Sequence, residues 1–210
     1  GDIGLGVLWG LYDWHFELLA LAEHSKYLES KFGFGPHTIS VPRVKPATGV
    51  CFNSPFLVSD NDLLHIIAIL RISMPYVGLV ISTRESASLR KQAFTIGISQ
   101  TSAGSSTEVG GYSKDKQKRG GQFSIEDGRN LGDVVCGLIK DGFIPAFCTA
   151  CEQRGRTGLN FMKMARTGLI GGLCAANSLI AFKQYLGDGK RIGFVDRETE
   201  NLGDCLIGRE

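Results

Sequence analysis

Three cysteines carry the most specific chemistry in this sequence. Cys148 and Cys151 stand in the run F-C-T-A-C-E and Cys174 in G-L-C-A-A-N, a spacing of C-x2-C-x22-C. Three thiolates can hold three irons of a [4Fe–4S] cube and leave the fourth iron open, whereas a structural zinc takes four protein ligands. No further C-x2-C or H-x3-H pair follows Cys174, and none of the four histidines lies beyond His65. Two readings stand side by side. One is a three-cysteine cluster with an open iron. The other is a Cys148/Cys151 dithiol, with Cys174 an ordinary buried residue. Cys51, Cys136 and Cys205 have no C-x2-C partner, and Cys136 falls on the apolar side of a helical pattern, where core is the expectation. Six cysteines in 210 residues are too sparse for a disulfide scaffold.

The elements that must position these residues alternate. Leu5–Trp9 is expected as a buried strand, followed by a helix over Asp13–Lys31 with Phe16, Leu19, Leu21, Leu28 and Phe32 on its apolar side. Thr38–Val44 is a second strand. Ser59 or Asp60 caps a helix whose face is Leu63, Ile66, Ile67, Leu70 and Met74, and Pro75 stops it. Val77–Thr83 is a third strand, Ser86–Ala93 a short helix, Phe94–Ser99 a fourth strand. A long polar loop over 105–127 separates these from a helix at Arg129–Lys140 and a fifth strand at Phe143–Phe147. Helices near Gly158–Thr167 and Ala175–Leu186 follow. Strand–helix alternation with near-continuous apolar strands means a parallel sheet covered on both faces. The expected class is α/β, as about five βα units forming the C-terminal part of a (β/α)8 barrel plus a helical extension. An open flavodoxin-like sheet is the alternative.

Ligands in either architecture meet the carboxyl ends of the strands. Arg43, then Ser82-Thr83-Arg84-Glu85, then Ser102 to Ser105, then Cys148 fall at such ends. Arg43 and Arg84 can each clamp a carboxylate with a bidentate fork, or pair with a nearby acid across the rim. His37, after Gly35-Pro36, falls at the entrance of the second strand. That is the bottom of a barrel, where a satisfied structural histidine is expected, unless the turn folds inward and lets it reach a metal.

Bulk composition narrows the partners. A net charge of +2 gives no electrostatic case for nucleic acid, and the basic run 114–119 sits in a Gly/Ser-rich polar stretch. No uncharged apolar run approaches the ~20 residues of a membrane span, and no secretory leader is evident. A cytoplasmic protein without a membrane is expected. The sequence opens at Gly1 without methionine and enters an apolar strand at once, as a chain cut from something longer would.

Several strings closely resemble the HydG family, the radical-SAM tyrosine lyases that mature [FeFe]-hydrogenase. They are G-D-I-G-L-G-V-L-W-G-L-Y-D, G-P-H-T-I-S-V-P-R, I-S-T-R-E, S-A-G-S, V-G-G-Y-S, I-P-A-F-C-T-A-C, G-R-T-G and N-S-L-I-A-F-K-Q-Y-L, in order from residue 1 to about 187. The resemblance implies part of a radical-SAM TIM barrel over residues 1–147 and an auxiliary-cluster extension over 148–210. It implies cleavage of L-tyrosine to p-cresol and dehydroglycine, started by S-adenosylmethionine at a first [4Fe–4S] cluster. CO and cyanide then form at an auxiliary [4Fe–4S] cluster that carries an additional iron and takes up cysteine. In this frame Cys148, Cys151 and Cys174 hold the auxiliary cluster and His37 the additional iron. Arg84, Ser102 and Ser105 hold tyrosine, while Gly4, Gly6 and Arg43 line the S-adenosylmethionine side. HydE and HydF are the implied protein partners, in an anaerobic organism.

The departures are equally plain. No C-x3-C-x2-C motif for the first cluster occurs in the 210 residues, so this chain by itself is expected to be inactive. Glu152 stands where an aromatic residue is expected and Ser106 where a basic one is, and G-L-C-A-A-N replaces a less glycine-rich, proline-containing run. A ThiH-like tyrosine lyase of thiamine biosynthesis is the near alternative, distinguished by lacking the three-cysteine site. A non-catalytic iron–sulfur or zinc-binding module is the alternative of a different class.

Overall fold

Four short strands pair in sequence order, β1 Gly4–Gly6, β2 Thr38–Ser40, β3 Gly78–Ile81 and β4 Gln100–Thr101, all parallel. The computed structural model describes residues 3–47, 49, 51–108, 111, 123–147 and 158–191. Register runs Leu5 against Ile39, Ile39 against Leu79, and Val80 against Gln100. A flavodoxin-like sheet reverses its strand order at a switch point, and a barrel does not. The unbroken order is that of a barrel segment. An isolated parallel bridge between Trp9 and Arg43 extends the β1–β2 pairing beyond the strand ends.

Helices α1 (Trp14–Phe32), α2 (Asp60–Ser73) and α3 (Ala87–Ile96) cover this sheet's strands in turn. Each begins on a side chain that accepts a backbone N–H: Asp13 from His15, Ser59 from Asp62, Ser86 from Leu89. Gly33, at φ 81°, ends α1 in the left-handed region that glycine adopts without strain. The buried stripe of α2 is the expected Leu63, Ile66, Ile67 and Leu70, with Met74 behind it. For α1 the stripe is Leu18, Leu21, Ser25 and Leu28, whereas Phe16, Leu19 and Phe32 are exposed. Leu18 and Leu21 of α1 and the α2 stripe close on Trp9, Ile39, Val41, Val77, Leu79 and Ile81 as one apolar core.

At α2 the cap is reciprocal, since Asp62 accepts from the Ser59 N–H at 3.1 Å while Ser59 Oγ accepts from the Asp62 N–H at 3.2 Å. The Ser59 hydroxyl and N–H hold the Asp62 carboxyl below the ordinary aspartate range. A depressed carboxylate stabilises the fold above its unfolded-state pKa and loses that contribution as pH falls through the folded-state value. Ser59→Ala is expected to cost about 1 kcal/mol at neutral pH. Urea titrations of both proteins should show the difference shrinking below about pH 4, and a pH-independent difference counts against the capping box.

Two strand expectations are corrected. Phe94–Ile96 belongs to α3, because Leu89, Ala93 and Ile96 lie at helical spacing and turn Phe94 and Ile96 onto the core. The fourth strand starts after Gly97 and comprises Gln100–Thr101. Residues 143–147 form no strand. Helix α4 (Leu131–Lys140), capped by Asn130, ends in a pair of bonds from Gly142 N–H to Ile139 and from Phe143 N–H to Leu138. Phe143 is thus committed to closing the helix rather than to pairing.

The chain divides into two compact units, Gly1–Gly128 and Arg129–Glu210. The second contains α4, α5 (Gly158–Arg166) and α6 (Ile170–Arg191), with Phe147 stacked on Tyr185 of α6 at 4.5 Å. Among the described residues no single helix is long and apolar enough to cross a membrane.

Candidate functional site

The carboxyl ends of β2 and β3 carry a buried network of charges. Glu85, 1% exposed, accepts from Arg43 through both oxygens, from Nε at 3.1 Å and from Nη2 in an ion pair. Arg43 also donates from Nη1 to the Val58 carbonyl at 2.9 Å and pairs with Asp60 at 2.8 Å. Lys45 lies 3.4 Å from Glu85 and pairs with Glu126. Burial works against the charged Arg43, and the bonds to Glu85 and Asp60 overcome it and raise its pKa above the ordinary arginine value. Of the two readings open for Arg43, pairing across the rim is the one that forms.

Arg84, next in sequence to Glu85, is treated differently. It is half-buried, makes no ion pair among the described residues, and donates from Nη1 to the Arg43 carbonyl at 3.3 Å. Its guanidinium carbon lies 3.4 Å from the centre of the Phe123 ring. Desolvation lowers its pKa, with Glu85 opposing the shift. A charged planar fork that faces no carboxylate of its own can take one from a ligand.

Ser102 and Ser105 follow β4 and are half-buried. The Ser102 carbonyl accepts from Arg90, which also pairs with Asp127 and donates to Thr101. Asp127 and Glu126 both donate backbone N–H groups to the Thr83 carbonyl, at 3.2 and 3.1 Å. Residues 123–127 are therefore tied to the rim that holds Arg84. The sequence places Glu85 at a strand end without a role, and gives no sign of Lys45, Phe123 or the Arg90–Asp127 pair. Phe123 is one of two aromatics in the long polar stretch, with Tyr112, and no local pattern singles it out.

Gly4 and Gly6 lie on β1 against Thr38 and Ser40, where a Cβ at Gly4 would come within 3.1 Å of Thr38 Oγ1 and one at Gly6 within 3.3 Å of the Ser40 carbonyl oxygen. His37 sits at the amino end of β2, its N–H bonded to the Ile3 carbonyl at 2.8 Å and its carbonyl to the Gly78 N–H at 3.0 Å. It is at the opposite end of the sheet from Arg84. Cys174 is exposed, on the second turn of α6, whose start at Ile170 precedes the expected one. Cys148 and Cys151 lie outside the described residues. Among those that are described, no three His, Cys, Asp or Glu side chains gather as a metal site.

Known proteins share sequence and fold with this chain. Residues 40–144, half of the chain, match the biotin and thiamin synthesis associated domain. The 2-iminoacetate synthase of Escherichia coli is 33% identical over 146 residues, 69% of this chain and 38% of the relative. That of Salmonella typhimurium is 32% identical over the same shares. A crystal structure of HydG, a maturase of the [FeFe]-hydrogenase, superposes with a TM-score of 0.83 and 40% identity over 100% of this chain and 50% of the other. HydG from Carboxydothermus hydrogenoformans gives 0.75 and 38% over 98% of this chain and 43% of its own. The chain thus spans about half or less of the length of the relatives it matches. It belongs to the biotin and thiamin synthesis associated domain family, and its α/β fold is that of part of the HydG maturases.

Proposed function

We propose that this chain is the C-terminal portion of a HydG-like radical-SAM tyrosine lyase serving hydrogenase maturation. The likeness to HydG over the full chain carries this reading. The 2-iminoacetate synthases match over 69% of the chain, and 2-iminoacetate is dehydroglycine, the amino-acid half that cleavage of tyrosine leaves. A shared tyrosine chemistry follows from both groups of relatives, and the wider coverage favours the HydG branch over a ThiH-like one.

Arg84 binds the tyrosine carboxylate through its fork. Ser102, whose carbonyl bonds Arg90, and Ser105 take the remaining polar groups of the amino acid. Gly4 and Gly6 let S-adenosylmethionine approach the β1 backbone, and Arg43 fixes that rim through Glu85. Residues 148–210 form the extension that holds an auxiliary [4Fe–4S] cluster through Cys148, Cys151 and Cys174. Exposure of the Cys174 thiol fits a ligand better than a core residue. When bound, that cluster supplies an open iron for CO and cyanide, with the additional iron on His37. From His37 to Arg43 the strand runs roughly 20 Å at about 3.3 Å per residue, so His37 and Arg84 serve different steps. HydE and HydF are the expected partners.

Joined behind the N-terminal portion of the Carboxydothermus hydrogenoformans HydG, residues 1–210 are expected to release p-cresol from L-tyrosine once both clusters are loaded. Arg84→Gln in that fusion should lower kcat/KM for L-tyrosine by about tenfold or more, the scale of a lost hydrogen bond to a charged group. A fully loaded fusion that binds S-adenosylmethionine yet releases no p-cresol overturns the proposal.

A further inference from the structure

We propose that Phe123 is the positioning residue that makes Arg84 a carboxylate fork, by covering one face of its guanidinium and directing its N–H edge toward the ligand. This rests on the reading of Arg84 as the amino-acid carboxylate site. Three observations carry it, beginning with the stacking itself. The guanidinium carbon lies 3.4 Å from the ring centre, which is van der Waals contact. An arginine fork binds a carboxylate in its own plane, so a ring on one face leaves the donor edge clear.

The ring is also held in place. The Phe123 carbonyl accepts from Thr107 Oγ1 at 2.9 Å, and the next residue, Ser124, donates to the Pro46 carbonyl at 3.0 Å. Glu126 and Asp127 then bond the Thr83 carbonyl, one residue before Arg84. A side chain anchored on both sides of a guanidinium's own backbone can fix its direction.

The third observation is the distribution of charge. Arg43 and Lys45 take Glu85, Asp60 and Glu126, and Arg90 takes Asp127. Each acidic side chain of this rim is thereby engaged by another cation. Arg84 is stabilised instead by an aromatic face, which supports a cation without competing for its donors. The device suits recognition of an α-carboxylate along the Nε/Nη2 edge, since Nη1 already donates to the Arg43 carbonyl.

Binding of L-tyrosine and of tyramine, which lacks the carboxylate, to the reconstituted chain tests this by calorimetry. In the wild type L-tyrosine should bind more tightly, and Arg84→Gln should erase the preference. Phe123→Leu is expected to weaken L-tyrosine about three- to tenfold and leave tyramine unchanged, and Phe123→Tyr should restore the preference. The Arg84 Nε–H resonance, shifted upfield by the ring, should return toward its exposed position in Phe123→Leu. That readout serves even if the substitution lowers stability. If Arg84→Gln erases the preference but Phe123→Leu leaves both the preference and the resonance unchanged, the positioning role is overturned and the carboxylate site stands. If the wild type shows no preference, or Arg84→Gln does not alter it, the carboxylate site itself fails and the positioning role with it.

Discussion

Glu85→Ala is expected to destabilise the Gly1–Gly128 unit by about 3–5 kcal/mol, a large share of the ~5–15 kcal/mol by which a domain is held folded. The substitution leaves Arg43, whose side chain is 7% exposed, with the solvent-exposed Asp60 as its one remaining acid, and Lys45, 11% exposed, with Glu126. The loss comes from stranding buried cations, not from the intrinsic worth of the ion pair. Two charges brought together out of water regain little net energy, while one brought alone has nothing to offset its desolvation. This has a checkable corollary. Replacing the pair together, as Arg43→Met with Glu85→Leu, should cost less than Glu85→Leu alone, and the cycle closed with Arg43→Met alone should give a coupling energy of about 1 kcal/mol or more. Urea unfolding monitored through Trp9 and Trp14 measures both. A loss below about 1 kcal/mol for Glu85→Ala would mean that water or a displaced side chain already serves Arg43.

The helices of this fold were legible because their ends are written locally. Asp13, Ser59, Ser86 and Asn130 each accept an N–H from the first turn they open, and Pro75 follows the helix it terminates. Parallel alternation, and hence the barrel class, followed from the same punctuation. Strands were read less well. F-T-I in the run after Ala93 has strand composition, yet its position on the face begun by Leu89 makes it helix, and that face exists only once the sheet is present. Pairing of Arg43 across the rim was one of two legible readings, but its partner was not legible, for a related reason. Arg43 and Glu85 are 42 residues apart, and a glutamate one step before a helix cap has the local signature of a solvated residue. Arg84 was legible by its place at a strand end. The ring that covers it comes from the far side of a long loop, at a separation that no local pattern encodes.

Substituting serine for any one of Cys148, Cys151 or Cys174 is expected to abolish the auxiliary cluster rather than weaken it. Anaerobic reconstitution with iron and sulfide should load roughly four irons per chain in the wild type and close to none in each variant. Cys51→Ser should load like the wild type, although Cys51 and Cys174 are both exposed. The contrast separates exposure from ligation. A cube anchored at three irons has no spare protein ligand, so losing one thiolate leaves two irons without one and opens the cluster to solvent. A zinc site of the same cysteines would instead recruit water or a nearby side chain as its fourth ligand and keep partial affinity. Adding cysteine or cyanide to the loaded wild type should shift the spectrum of the reduced cluster, as an iron open to exogenous ligands requires. His37→Ala should retain the four irons and lose any fifth, because a residue at the amino end of β2 is asked to hold the additional iron alone and not the cube. Stoichiometric zinc without iron uptake, or a Cys174→Ser variant that keeps its iron, would remove the extension from this chemistry. The Arg84 site would survive that result, since it stands on a different unit of the chain and on different bonds.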